Sequence, residues 1–132
     1  KVLEIGTGLG YQACVLAAMG AKVFSIEGAQ PLVQGQGIPD LLHYHIKTFL
    51  GDGFEGLPSY APFDRVIITA GAPEFPQKLI TQLKPNGIMI IPMDEGEGQK
   101  ILRITKQDDG SLKQEAFGDF DFVPMLKNIG KD

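Results

Sequence analysis

Val2-Leu3-Glu4-Ile5-Gly6-Thr7-Gly8-Leu9-Gly10-Tyr11 carries the strongest pointer to the fold class of this chain. A short apolar run breaks into three glycines at alternate positions, and the apolar segment Ala13 to Met19 follows at once. That order reads as strand, tight turn and helix. Glycine suits such a turn because it accepts backbone angles that a Cβ forbids and lets a ligand approach the main chain. The helix beyond the turn would aim unpaired N–H groups and its positive dipole end at the occupant. A ligand bearing a carboxylate or phosphate is therefore expected there.

Moving outward, a second apolar strand from Ala21 to Ile26 ends in Glu27. A dinucleotide-type fold expects a ribose-binding carboxylate about 20 residues after the first glycine. The dinucleotide pattern Gly-x-Gly-x-x-Gly would place its third glycine at position 11, which here is Tyr11, whereas the chain has glycine at position 10. Close passage of a pyrophosphate depends on that last small residue, so a tyrosine argues for a ligand without one. S-adenosyl-L-methionine fits, having an adenosine for Glu27 to grip and an amino-acid end for the glycine turn.

Further along, Gly51-Asp52-Gly53 follows a strand expected over Ile46 to Leu50. Gly and Asp make turns in any loop. In open α/β sheets, however, ligands bind at the carboxyl ends of the strands, which would bring this turn, Gly6 to Gly10 and Glu27 to one edge. Asp52 would then accept a hydrogen bond from the adenine amino group, with the glycines making room for the ring.

The remaining segments continue the alternation. The first helix is expected over Tyr11 to Met19, ending at Gly20, and residues 29–42 are interrupted by Pro31, Gly35, Gly37 and Pro39, so one short helix or two pieces are expected there. Ala61-Pro62-Phe63-Asp64 introduces Arg65 to Thr69, apolar as a central parallel strand should be. Pro76 to Leu83 reads as a helix, Lys84-Pro85-Asn86-Gly87 as a turn and Ile88 to Ile91 as the fifth strand. Asp94-Glu95-Gly96-Glu97-Gly98 reads as an acidic solvated loop. Lys100 to Lys106 and Leu112 to Val123 then form an antiparallel hairpin turning at Asp108-Asp109-Gly110-Ser111.

With 132 residues and 43% hydrophobic content, residues 1–132 are expected to form one domain. The net charge is −4 without a cluster of Lys and Arg, so no nucleic-acid partner is expected. Cys14, the one cysteine, excludes an intrachain disulfide and reads as a buried small hydrophobe. His43 and His45 lack accompanying cysteines or carboxylates, so no metal site is expected. No apolar run approaches a membrane span and no signal peptide is visible, which points to a cytoplasmic protein with no membrane partner. The chain opens on Lys1, directly before a strand, so a preceding region of the protein is expected.

Taken together, these segments resemble the protein-L-isoaspartate O-methyltransferase family. The resemblance rests on the stretch from Val2 to Tyr11, Glu27, Gly51-Asp52-Gly53, Ala61-Pro62-Phe63-Asp64, Thr69-Ala70-Gly71-Ala72-Pro73, Leu83-Lys84-Pro85-Asn86-Gly87 and Phe122-Val123-Pro124-Met125. It implies a Rossmann-like class I methyltransferase fold of the α/β class: a mainly parallel seven-stranded sheet flanked by helices, with a C-terminal antiparallel hairpin. It also implies transfer of the methyl group of S-adenosyl-L-methionine to the α-carboxylate of L-isoaspartyl residues in damaged proteins and peptides. By the resemblance Gly6, Thr7 and Gly8 would hold the methionine end, Glu27 the ribose, and Asp52 with Gly53 the adenine, with Gly10 also among the cofactor-binding residues. Ala70, Gly71, Ala72 and Pro73 would line the acceptor side. The family's Ser-containing segment ahead of the first strand has no counterpart here, so no catalytic side chain is assigned. Gly28 and the broken region to Pro39 depart from the family's unbroken helix, implying a looser ribose pocket. An acceptor carboxylate is already ionised at neutral pH and needs no general base. Two other readings stay open: a non-catalytic module that binds S-adenosyl-L-methionine, and a nicotinamide-dependent oxidoreductase.

Overall fold

The computed structural model describes residues 1–6, 16, 18–27, 46–69, 74–95 and 98–120. Their strands form one seven-stranded sheet. In chain order these are β1 (Val2–Ile5), β2 (Val23–Glu27), β3 (Ile46–Leu50), β4 (Phe63–Ile68), β5 (Leu83–Glu95), β6 (Gly98–Lys106) and β7 (Leu112–Phe120), with the helix α1 (Gln77–Thr81) between β4 and β5. The spatial order is β3-β2-β1-β4-β5-β6-β7. Pairing is parallel from β3 through β5 and antiparallel between β5, β6 and β7. The expected fold class is therefore the one observed.

The core explains why the first strands are so apolar. Leu3 and Ile5 of β1, Phe24 and Ile26 of β2, and Val66 and Ile68 of β4 form one buried cluster with Leu79 and Ile80 of α1. Successive strand residues face opposite sides, so Val2, Glu4, Val23 and Ser25, which are also buried, lie on the other face. A strand buried on both faces is what a central parallel position requires. The stretch 51–62 is fastened over the first face by tilted ring contacts: Tyr60 lies 5.0 Å from Phe24 and 5.4 Å from Phe49 between ring centroids. Gln82 adds a polar anchor. Its side chain accepts from Leu57 N–H at 2.8 Å and donates to the Glu55 carbonyl at 3.0 Å.

Several boundaries differ from the sequence reading. The helix expected over Pro76 to Leu83 is only Gln77–Thr81, with Pro76 as its N-cap, because Leu83 is drawn into pairing with Phe63. Strand β5 begins earlier and ends later than Ile88 to Ile91, running from Leu83 to Glu95. The turn at Lys84-Pro85-Asn86-Gly87 survives inside it. Pairing steps from Phe63↔Leu83 to Arg65↔Ile88, so these four residues bulge against one, and Asn86 takes φ of 68°. Of the acidic loop expected at Asp94 to Gly98, Asp94, Glu95 and Gly98 belong instead to paired strands, since β5 and β6 stay in register out to Glu95↔Gly98, while Gly96 and Glu97 lie outside the described residues. Backbone hydrogen bonding outweighs the charge density there. The hairpin turn at Asp108 to Ser111 is present, with Gly110 at φ of 87° and Ser111 N–H bonded to Asp109 Oδ1.

The first helix and the segment 29–42 lie largely outside the described residues, as does the end of the strand expected to reach Val123. Its stop signal is visible. Gly20 has φ of 99°, and Ala21 N–H bonds the Leu16 carbonyl at 3.1 Å, the pattern by which a left-handed glycine closes a helix.

Candidate functional site

The carboxyl ends of β1, β2, β3 and β4 lie side by side. Register places Ile5 against both Ile26 and Ile68, and Glu27 against Leu50. The backbone continues this lacing one residue beyond the strands: Gly6 N–H donates to the Ile26 carbonyl at 2.8 Å, Gly51 N–H to the Glu27 carbonyl at 3.1 Å, and Thr69 N–H to the Ile5 carbonyl at 3.1 Å. Gly6, Glu27, Gly51 with Asp52, and Thr69 therefore share one edge of the sheet. Strand order reverses between β1 and β4, with β2 and β3 to one side and β5 to the other, which makes the crevice above them the switch point of the fold.

Each of these positions has a local cause. Gly6 takes φ of 99°, and a Cβ on it would sit 2.5 Å from Thr69 Oγ1, so both its conformation and its space demand glycine. Glu27 ends β2 and is half-buried. Asp52 caps a short 3-10 turn, Gly53–Glu55, its Oδ1 accepting from Phe54 N–H at 2.9 Å. That cap uses one carboxylate oxygen of the two available to a donor. Gly53 is buried directly behind it. Asp52 also borders an open cleft of about 440 Å³, walled in part by Phe54, Phe75 and Pro76. Lys78 and Glu55 also line the cleft, and Lys78 Nζ donates to both Glu55 carboxylate oxygens, at 2.9 and 2.8 Å.

In the sequence Glu4 reads only as part of an apolar run; the structure gives it more weight. It is fully buried, two residues before Gly6. Ser25 Oγ donates to its Oε1 at 2.6 Å, while Oε2 is buried without a partner among the described residues. Burial pushes the Glu4 carboxyl above its ordinary range; the Ser25 hydrogen bond pulls against this and the nearby Glu27 carboxylate adds to the rise. The signal was in the sequence: a glutamate inside an otherwise apolar four-residue central strand is out of place unless it has a task. Thr69 and Gln82 carried no comparable signal.

The edge can thus hold a ligand with an anionic or zwitterionic end at Gly6, a diol at Glu27 and a ring with a hydrogen-bond donor at Asp52. S-adenosyl-L-methionine meets that set. Of the expected binding residues, the structure brings Gly6, Glu27, Asp52 and Gly53 to the same edge. Thr7, Gly8, Gly10, Ala70, Gly71, Ala72 and Pro73 lie outside the described residues. Among the described residues no group of His, Cys, Asp and Glu could hold a metal ion, and no helix is long and apolar enough to cross a membrane.

Known proteins match this chain over nearly its whole length. The family model described as protein-L-isoaspartate(D-aspartate) O-methyltransferase matches residues 1–130. A protein-L-isoaspartate O-methyltransferase of Cytophaga hutchinsonii is 49% identical, over 100% of this chain and 59% of that protein. One from Flavobacterium psychrophilum is 46% identical over 97% of this chain and 61% of that protein. The chain therefore spans about three-fifths of the length of these curated relatives. Among solved structures, a protein-L-isoaspartate O-methyltransferase superposes with a TM-score of 0.76 at 27% identity, covering 98% of this chain and 43% of that one. A beta-aspartate methyltransferase from Plasmodium falciparum, in complex with S-adenosyl-L-homocysteine, gives 0.74 at 24% identity over 96% of this chain and 66% of that one, a likeness of fold.

Proposed function

The chain belongs to the protein-L-isoaspartate O-methyltransferase family, and from that premise we propose that it binds S-adenosyl-L-methionine and methylates the free α-carboxylate of L-isoaspartyl residues in damaged proteins and peptides, as a cytoplasmic protein. The observation that carries this reading is the lacing of Gly6, Glu27, Gly51 and Thr69 along one sheet edge at the switch point. The cofactor supplies an electrophilic methyl group on a sulfonium.

Within this reading the residues do four things. Gly6 with Thr7, Gly8 and Gly10 receives the methionine end, where close main-chain approach is needed. Glu27 accepts from the ribose hydroxyls, and Asp52 with Gly53 seats the adenine beside the cleft walled by Phe54 and Phe75. Ala70, Gly71, Ala72 and Pro73 leave room for the acceptor carboxylate. That carboxylate is a ready nucleophile at neutral pH, so rate enhancement comes from alignment and exclusion of water rather than from a general base.

Methyl transfer from labelled S-adenosyl-L-methionine to an isoaspartyl peptide tests the proposal, with the same peptide carrying ordinary aspartate as control. Label in the isoaspartyl peptide alone is expected. A chain that binds S-adenosyl-L-homocysteine but transfers nothing would be the binding module instead. Binding of NADH in place of S-adenosyl-L-homocysteine would overturn both.

A further inference from the structure

Gly6 is tethered from both neighbouring strands. Its N–H donates to Ile26 of β2 at 2.8 Å. On the other side Thr69 Oγ1 lies 3.2 Å from the Gly6 carbonyl and 3.1 Å from the Ile5 carbonyl, so one hydroxyl proton is shared between two acceptors. Thr69 N–H also donates to Ile5. Thr69 is the first residue after β4 and Gly6 the first after β1, so this hydroxyl spans the crevice at the switch point.

The tether matters because of what glycine is. At φ of 99° Gly6 has no side chain to hold its conformation, and the residue best suited to this angle is also the one most free to leave it. With its carbonyl oxygen committed to Thr69, Gly6 cannot turn that oxygen toward an incoming carboxylate. Without the hydroxyl the peptide plane is free to rotate and to set a carbonyl dipole against the ligand's negative end.

We propose that Thr69 is a positioning residue for the cofactor: its hydroxyl, bridging the Ile5 and Gly6 carbonyls across the crevice, holds the start of the glycine turn in the shape that accepts the amino-acid end of S-adenosyl-L-methionine. The inference rests on the function proposed above and adds a residue from the acceptor-side strand to the cofactor's support.

Calorimetric titration of the full chain with S-adenosyl-L-homocysteine tests it, using Thr69→Val, Thr69→Ser and Thr69→Ala with a thermal melt of each. Valine keeps the shape and removes the hydroxyl, whereas serine keeps the hydroxyl. Loss of one such bond should weaken binding roughly fivefold to tenfold in the valine and alanine variants, and serine should restore it to about twofold of the parent. Should valine not fold, serine and alanine differ by that oxygen alone and carry the same comparison. Equal affinity in serine and alanine, or a serine variant as weak as valine, overturns the proposal while leaving the cofactor reading intact. Failure of both hydroxyl-free variants to fold would make the hydroxyl a folding element and overturn it too. A parent chain that does not bind S-adenosyl-L-homocysteine overturns the cofactor reading itself, and the proposal with it.

Discussion

Ser25 Oγ donates a 2.6 Å hydrogen bond to Glu4 Oε1 between adjacent strands β1 and β2, and the other oxygen of that fully buried carboxyl is left without a partner among the described residues. A carboxyl so placed is held in its neutral form more strongly in the folded protein than in the unfolded chain. Its contribution to stability is therefore fully present below the ordinary glutamate value of 4.5 and is lost as pH rises through the higher folded value. Glu4→Gln keeps the shape but cannot ionise. Urea midpoints measured at several pH values should show the variant gaining on the parent as pH rises from below 4.5 toward neutrality. Parallel curves would mean that Glu4 does not titrate abnormally.

Gly6→Ala places a Cβ 2.5 Å from Thr69 Oγ1 on a residue at φ of 99°. Strained backbone of this kind costs about 1–3 kcal/mol. Chemical denaturation should register that loss, and S-adenosyl-L-homocysteine binding should fall with it. An alanine variant as stable as the parent would contradict the geometry at the end of β1.

Gln82 is buried and joins helix α1 to the loop that follows Asp52, using both ends of its amide. Gln82→Leu leaves Leu57 N–H and the Glu55 carbonyl without that partner, at a cost of about 1–3 kcal/mol. Gln82→Glu should cost at least as much near neutral pH, because its carboxylate still accepts from Leu57 N–H but sets a buried negative oxygen against the Glu55 carbonyl. Guanidinium titration of the three proteins checks the order.

Glu27 tests the ribose contact directly. Replacing it with alanine is expected to weaken S-adenosyl-L-homocysteine binding by about 1–3 kcal/mol, the cost of leaving buried hydroxyls unpaired. Unchanged affinity by calorimetry would remove Glu27 from the pocket.

The sequence was enough to locate the first three strands and the candidate binding residues at their ends. Short runs dominated by apolar and β-branched residues and closed by glycine placed β1, β2 and β3 within a residue or two of where they lie, since that pattern needs only local sequence to be read. Glu27 and Gly51-Asp52-Gly53 were legible because each follows such a run immediately. Tertiary structure decided the rest. Only strand pairing could draw Leu83 out of a helix to meet Phe63, or extend β5 and β6 through the acidic stretch to Glu95 and Gly98. Only the parallel order β2-β1-β4 could bring Thr69 against Gly6, 63 positions away in the chain. Local propensity acts over a few residues, whereas the partner of a backbone carbonyl at a strand end is chosen by whichever strand comes to lie beside it.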